Sequence, residues 1–141
     1  MNNIRTALQG QQGDRRLRLG IAGGEWKKMM ADATARTRFA SEVKKIIEQY
    51  EFDGVDFDFE WPANASEYNN YSATVIQMRS TLGKYVYFTA SLHPVSFKIS
   101  PEAIDALDFI SYQCYGPAVM RFPYEQFVNC LLYTSDAADE P

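Results

Sequence analysis

The sequence predicts an α/β fold in which parallel strands alternate with helices. Four short segments rich in β-branched and aromatic residues end near glycine or proline, and stretches with helical periodicity separate them. Alternation of this kind requires helical crossovers between parallel strands, as in a closed barrel or a doubly wound sheet. At this level both architectures remain open.

Each element follows from a local pattern. The predicted strands are residues 16–22, 52–61, 85–92 and 109–115. The predicted helices run from Asp32 to Tyr50, from an N-cap at Ser66 to a stop at Gly83, and from an N-cap at Ser100 to Leu107. In the first two helices, apolar residues three or four positions apart form one stripe that can face a sheet.

Composition limits the possible partners. The chain has 141 residues, of which 46% are hydrophobic, so it is long enough for one domain with a core. Its net charge of −4 comes from interspersed acids and bases, which disfavours nucleic acid and anionic membranes as partners. No apolar run approaches membrane-spanning length, and the start lacks the apolar centre of a signal peptide. Two cysteines, Cys114 and Cys130, indicate neither a disulfide scaffold nor a zinc cluster, and we expect no metal and no cofactor.

The segment 52–61 is the most informative part of the chain. Side chains alternate along a strand, so Asp56, Asp58 and Glu60 share one face while the other face is apolar and aromatic. Three acids spaced about 7 Å apart would be costly on a parallel strand covered by helices on both sides. A barrel resolves the conflict, because the acids then line its interior and rise toward the C-terminal mouth, where barrel enzymes have their active sites.

Two other interpretations of the acidic face are weaker. A solvated edge strand would seldom place aromatic residues so regularly opposite its acids. A calcium loop requires glycine at its sixth position, where this sequence has Trp61. The pattern therefore favours catalytic carboxylates.

Residues 53–62, DGVDFDFEWP, resemble the D-G-x-D-x-D-x-E signature on the fourth strand of glycoside hydrolase family 18, with Asp53 and Gly54 as its first two residues. Gly23 and Gly24 end the preceding strand, as the third strand of the family ends. The likeness runs from Leu17 to Val128 and implies an incomplete (β/α)8 TIM barrel that contains the third to sixth strands.

The resemblance also implies domain limits. We expect residues 1–129 to be a partial family 18 catalytic domain. Residues 130–141 change character abruptly and are similar to a translated sequencing adapter, so we expect them to be a non-native tail. A half-barrel exposes unpaired strand edges, and we expect the fragment by itself to be inactive and to aggregate or remain partly disordered.

The resemblance assigns roles to the acids. It implies that the substrate's own acetamido oxygen attacks the anomeric carbon, while Glu60 protonates the leaving oxygen and then acts as base toward water. Asp58 would accept the acetamido N–H, and Asp56 would share a proton or a hydrogen bond with Asp58. Tyr115, on the sixth strand, would hydrogen-bond the acetamido oxygen.

The sequence departs from the family pattern at three places. Gln113 replaces the usual methionine, and Gly116 stands where aspartate is frequent. Ile21 occupies the serine position of the S-x-G-G strand end, so polar support for the acidic strand is missing or comes from elsewhere. Gln113, Trp61 and Trp26 are predicted to contact substrate, Trp26 as a stacking platform at the mouth.

We therefore expect a glycosidase that hydrolyses β-1,4-linked N-acetylglucosamine polymers such as chitin, by a retaining, substrate-assisted mechanism. An endo-β-N-acetylglucosaminidase acting on N-glycan cores would use the same acids. A chitin-binding, lectin-like protein on the same fold is the alternative without catalysis. The resemblance alone suggests an extracellular location, and the oligomeric state is not predicted.

Overall fold

The computed structural model describes residues 2–10, 15–23, 25–93 and 98–113. Four strands lie in these ranges: β1 (Arg18–Ala22), β2 (Gly54–Asp58), β3 (Tyr87–Leu92) and β4 (Phe109–Tyr112). The helices in the same ranges are α1 (Asn2–Gln9), α2 (Trp26–Ala31), α3 (Ala33–Tyr50), α4 (Ala65–Leu82) and α5 (Pro101–Asp105). Sequence reasoning missed α1 and α2.

The strands form one parallel sheet in the order β1-β2-β3-β4. Helices connect consecutive strands, α2 and α3 between β1 and β2, α4 before β3, and α5 before β4. A doubly wound sheet would reverse its strand order at a switch point, whereas this order runs in one direction across the described strands. The observed topology is that of a barrel segment, with helices outside and a second, inner face.

The outer face of β2 lies in the hydrophobic core. Phe57 and Phe59 are buried, and their rings contact Phe88 of β3 at 5.6 Å and Tyr71 of α4 at 5.1 Å, measured between ring centroids. Burying one such side chain stabilises a fold by about 1.5 to 3 kcal/mol. The aromatic side chains on the outer face thus pack β2 against its helices.

Of the two helix N-caps predicted from the sequence, Ser66 and Ser100, one is confirmed. Asp32 caps α3 by accepting from Ala35 N at 2.7 Å, and Ser100 caps α5. The predicted N-cap Ser66 is wrong, since Asn64 caps α4 by accepting from Glu67 N at 3.0 Å. The Glu67 carboxylate accepts a hydrogen bond from Ala63 N at 2.7 Å, and the cap lies two residues earlier than predicted.

Asp53 joins the bases of three strands. Its carboxylate accepts from Leu17 N at 2.7 Å, and its backbone N–H donates to Leu17 O at 2.7 Å. Its carbonyl accepts from Tyr87 N at 2.9 Å. The first residue of the signature therefore connects β2 to both neighbouring strands.

Asp108 makes the equivalent connection between β3 and β4. It accepts from Phe88 N at 2.7 Å and from Arg79 Nη2 at 2.8 Å. Burial alone would raise the pKa of Asp108, but the Phe88 N–H and the Arg79 side chain outweigh it and hold that pKa below its usual value. Two aspartates, each just before a strand, thus hold the sheet together at its lower edge.

Gly54 allows β2 and β3 to approach closely. A Cβ atom at this position would lie 2.0 Å from Tyr87 O, and backbone cannot move aside as a flexible side-chain end can. By contrast, a Cβ atom at Gly20 in β1 would meet nothing within 4 Å. Gly20 therefore serves as a control for Gly54, because it lies in a neighbouring strand but leaves room for a methyl group.

Gly54→Ala should lower the free energy of unfolding by about 1 to 3 kcal/mol, because the added methyl forces the two strands apart. Gly20→Ala should be neutral or stabilise by up to about 1 kcal/mol, since alanine restricts the unfolded chain without a clash. Urea unfolding of a barrel completed with the missing strands, followed by tryptophan fluorescence, would measure both variants. Equal losses for the two would contradict the role assigned to Gly54.

Candidate active site

The inner face of the sheet carries the predicted acids. The β1 to β3 register places Gly20 and Thr89 on either side of Asp56, and Asp58 lies two residues further along β2. The strand ends at Asp58, so Glu60 lies just beyond its C-terminal end. The prediction that the strand reaches Trp61 is therefore wrong. The peptide bond that follows Glu60 is cis.

The lower end of this face contains a cation. Arg18 Nη1 lies 3.3 Å from Asp56 Oδ1 and 2.5 Å from Thr89 Oγ1. The Thr89 hydroxyl also makes a short hydrogen bond to Asp56 Oδ1. Asp56 is thus bound by a charged group from β1 and a hydroxyl from β3.

The contacts of Asp56 with Arg18 and Thr89 show where the polar support for the acidic strand comes from. Ile21 pairs with Phe57 and is buried on the outer face, so the prediction that it occupies the supporting position beside the acids is wrong. Gly20 stands beside Asp56 and has no side chain to offer. Polar support comes from elsewhere, namely from Arg18 and Thr89.

The upper end of the face is organised by one amide. Gln113 Nε2 donates to Asp58 Oδ1 and to Glu60 Oε1, both at 2.9 Å. Gln113 is only 7% exposed, and its Oε1 has no hydrogen-bond partner among the described residues. The opposite amide orientation would turn that oxygen toward two carboxylates, so electrostatics fixes the NH₂ group between them.

The surroundings of Asp58 change its pKa. Burial raises its pKa, and the neighbouring charges of Glu60 and Asp56 raise it further, while the hydrogen bond from Gln113 opposes them. The net direction is upward. The arrangement can therefore hold a proton close to Glu60 at a pH where an isolated aspartate would have lost it.

The two tryptophans have different environments. Trp61 follows Glu60, is 43% exposed, and its ring lies 5.3 Å from that of His93. Trp26 is only 6% exposed and packs against Phe59 at 5.3 Å on the outer side of the sheet. This burial contradicts the stacking platform predicted for Trp26. The apolar residues Trp26, Met29 and Met30 have helical spacing, and that signal could have identified α2 and the burial of the tryptophan.

Several predicted residues define the edges of the site. Gly23 ends β1 with φ of 126°, a conformation that favours glycine. Asp53 and Gly54 connect the strands at the base, as described above. Gly24, Tyr115 and residues 130–141 lie outside the described residues, and so do Cys114 and Gly116.

Within the described ranges, no group of three or more histidine, cysteine or acidic residues is arranged to hold a metal ion. None of the helices there combines the length and apolar character that crossing a membrane requires.

Comparison with known proteins finds chitinases among the relatives and the structural neighbours. The chain is 25% identical to a class V chitinase of Arabidopsis thaliana over 124 residues, which cover 73% of this chain and 33% of the relative. An immunomodulatory active chitinase from Trichuris suis superposes with a TM-score of 0.65 at 26% identity, covering 78% of this chain and 34% of that one. A mutant class V chitinase from Nicotiana tobaccum, solved in complex with NAG4, gives a TM-score of 0.67 at 20% identity, covering 82% and 39%.

The chain thus spans about a third of the length of the Arabidopsis relative and of the Trichuris structure. The structural neighbours confirm the predicted fold class, an α/β barrel of the (β/α)8 type that is incomplete here. The family model of glycosyl hydrolases family 18 matches residues 3–126. Because this match covers most of the 141 residues, the chain belongs to glycosyl hydrolases family 18.

Proposed function

We propose that this chain supplies the acidic strand of an enzyme that hydrolyses β-1,4-linked N-acetylglucosamine polymers by a retaining, substrate-assisted mechanism. The observation that carries the proposal is the Asp58–Gln113–Glu60 arrangement at the carboxyl ends of parallel strands. In barrels of this type the active site lies at that end. Family membership supports the reaction class, and the geometry supports the roles proposed for the acids.

Glu60 is the proposed acid and base. It lies beyond the strand end and is exposed, so a glycosidic oxygen can reach it. A carboxyl group donates its proton to the leaving oxygen and afterwards receives one from the attacking water. The hydrogen bond from Gln113 fixes one carboxylate oxygen of Glu60.

Asp58 is the proposed partner of the acetamido group. In a substrate-assisted reaction the acetamido oxygen is the nucleophile, and an acceptor for its N–H orients it and offsets the developing positive charge. The raised pKa of Asp58 means that it holds a proton more readily than a free aspartate does. That proton lies next to Glu60, which needs one to begin the reaction.

The proposed substrate is chitin or a chito-oligosaccharide. The Nicotiana structure was solved in complex with NAG4, and the exposed face of Trp61 beside Glu60 suits stacking against a sugar ring. Tyr115 remains the proposed hydrogen-bond donor to the acetamido oxygen. The described sheet forms one wall of the site, so we propose that hydrolysis requires the remaining strands.

Glu60→Gln, made in a barrel completed with the missing strands, should lower the hydrolysis of colloidal chitin at least about 100-fold, because the amide cannot supply a proton. Chito-oligosaccharide binding, measured by calorimetry, should persist. Glu48→Gln on α3 is a matched control, since it removes an exposed carboxylate far from the site.

Three outcomes would change the proposal. Turnover retained by Glu60→Gln would remove Glu60 from the acid role. Faster cleavage of a high-mannose glycoprotein than of chitin would assign the unmutated barrel to N-glycan cores. Binding without turnover by the unmutated barrel would support the lectin-like alternative.

Gln113→Leu should raise the pKa of Asp58 further. The lost N–H donor stabilised the charged carboxylate, and burial and the charge of Glu60 remain. A carbon-13 NMR titration of the aspartate carboxyl groups would measure the change. Ser111→Ala, on the same face two residues earlier in β4, is the control and should leave the pKa of Asp58 in place. A pKa unchanged by Gln113→Leu would show that the amide does not govern this proton.

A further inference from the structure

We propose that Arg18 is a positioning residue of the active site, one that keeps Asp56 ionised and bound at the base of the inner face, so that the mobile proton stays with Asp58 and Glu60. The inference rests on the proposed function for its kinetic consequence. The proposed effect of Arg18 on Asp56 does not depend on that function.

The first observation is the position of Arg18. It is the first residue of β1 and pairs in register with Gly54, which places it on the same face as Asp56 and one pleat below it. Its guanidinium extends upward, to 3.3 Å from Asp56 Oδ1 and 2.5 Å from Thr89 Oγ1. A cation from one strand and a hydroxyl from another therefore meet at one carboxylate oxygen.

The second observation is how hydrogen bonds divide among the acids. The polar partners of Asp56 are Arg18 and Thr89, whereas Gln113 holds Asp58 and Glu60. Asp56 and Asp58 are one pleat apart, close enough for their charges to interact. The two sets of contacts draw them in opposite directions along the strand. Asp56 is in contact with a cation from below, and Asp58 shares the Gln113 amide with Glu60.

The surroundings of Asp56 show which charges matter. From its own strand it faces Asp58 and, further up, Glu60, which are both acids. From β3 it meets the neutral Thr89, and the amide of Gln113 after β4 is neutral as well.

Three other titratable or charged groups lie farther from Asp56. Tyr71 of α4 lies in the core, where burial raises the pKa of its hydroxyl and the charges of Asp56 and Asp58 add to the effect. Arg16 stacks on the Tyr87 ring below, and His93 after β3 lies against Trp61. In the described part of the chain, the established contact between a cation and an acid of this face is that of Arg18 with Asp56.

The chemical consequence is a choice of where a shared proton resides. With Arg18 present, the ionised form of Asp56 is favoured and a proton bound by the cluster stays on the upper pair. Without the cation, Asp56 competes for that proton, and the whole cluster binds protons at higher pH. As the pH falls, the ionised carboxylate that turnover requires would then become protonated at a higher pH.

Arg18→Met in the completed barrel should move the acidic limb of the kcat/KM profile upward by about 0.5 to 1 pH unit, since a cation in contact with a carboxylate typically lowers its pKa by one unit or more. We expect kcat to fall more than KM rises. Arg18→Lys, which retains the charge, should return the limb most of the way. Lys44→Met on α3 removes a cation remote from the site and should leave the limb in place.

Arg18→Gln keeps a donor for Thr89 but loses the charge, so it serves if Arg18→Met does not fold, and its limb should also move upward. A purely structural role would lower stability and yield without moving the limb, and Arg18→Lys would not restore a profile. An unmoved limb in both uncharged variants overturns the inference while leaving the proposed hydrolysis intact.

Carbon-13 NMR titration of the Asp56 carboxyl group separates the two proposals. If the unmutated barrel hydrolyses no glycan, the proposed function fails, and the titration still decides the role of Arg18. The Asp56 carboxyl should titrate at higher pH in Arg18→Met and Arg18→Gln than in the unmutated protein or in Arg18→Lys. Identical titration in all four proteins would overturn the inference.

Discussion

The alternation of side chains along β2 is the constraint on which the rest of the structure depends. The same five residues hold Val55 and Phe57 in the core and two carboxylates on the inner face, so the site cannot shift without the core. A slip of one residue would turn Phe57 inward and bury an acid among Phe88 and Tyr71. The base of the strand opposes such a slip, because Gly54 fits closely against Tyr87 and Asp53 bonds both neighbouring strands.

Within that frame, the acids occupy a gradient of environments. Asp56 at the base has a cation and a hydroxyl, Asp58 in the middle is desolvated between two charges, and Glu60 at the top is exposed. The surroundings of Asp58 raise its pKa, and a difference in surroundings of this kind separates the roles of acid and acceptor in one site. The gradient arises because groups from three strands reach the face at different heights. A single strand could not produce it.

Much of this could be predicted from sequence, because it depends on local periodicity. The alternation of strands and helices, the one acidic face and the cap at Ser100 all follow from patterns a few residues long.

The errors involve relations between segments that are distant in the chain. Ile21 was placed beside the acids because the register between β1 and β2 is set by hydrogen bonds that the sequence does not show. Arg18 was missed for the same reason, and Trp26 was misplaced because a short helix buries it.

Gln113 illustrates why such relations matter for chemistry. A methionine at this position, usual in the family, cannot donate a hydrogen bond to either acid. The amide donates to both, so the relative placement of Asp58 and Glu60 is set before any substrate arrives. Groups that are already oriented need no rearrangement when charge develops in the transition state, which is the main source of electrostatic catalysis. The same hydrogen bonds stabilise the charged forms, so Gln113 must be balanced by the burial that raises the pKa of Asp58. The position of the proton in this site therefore results from opposing contributions by β4, by the core and by the cation on β1.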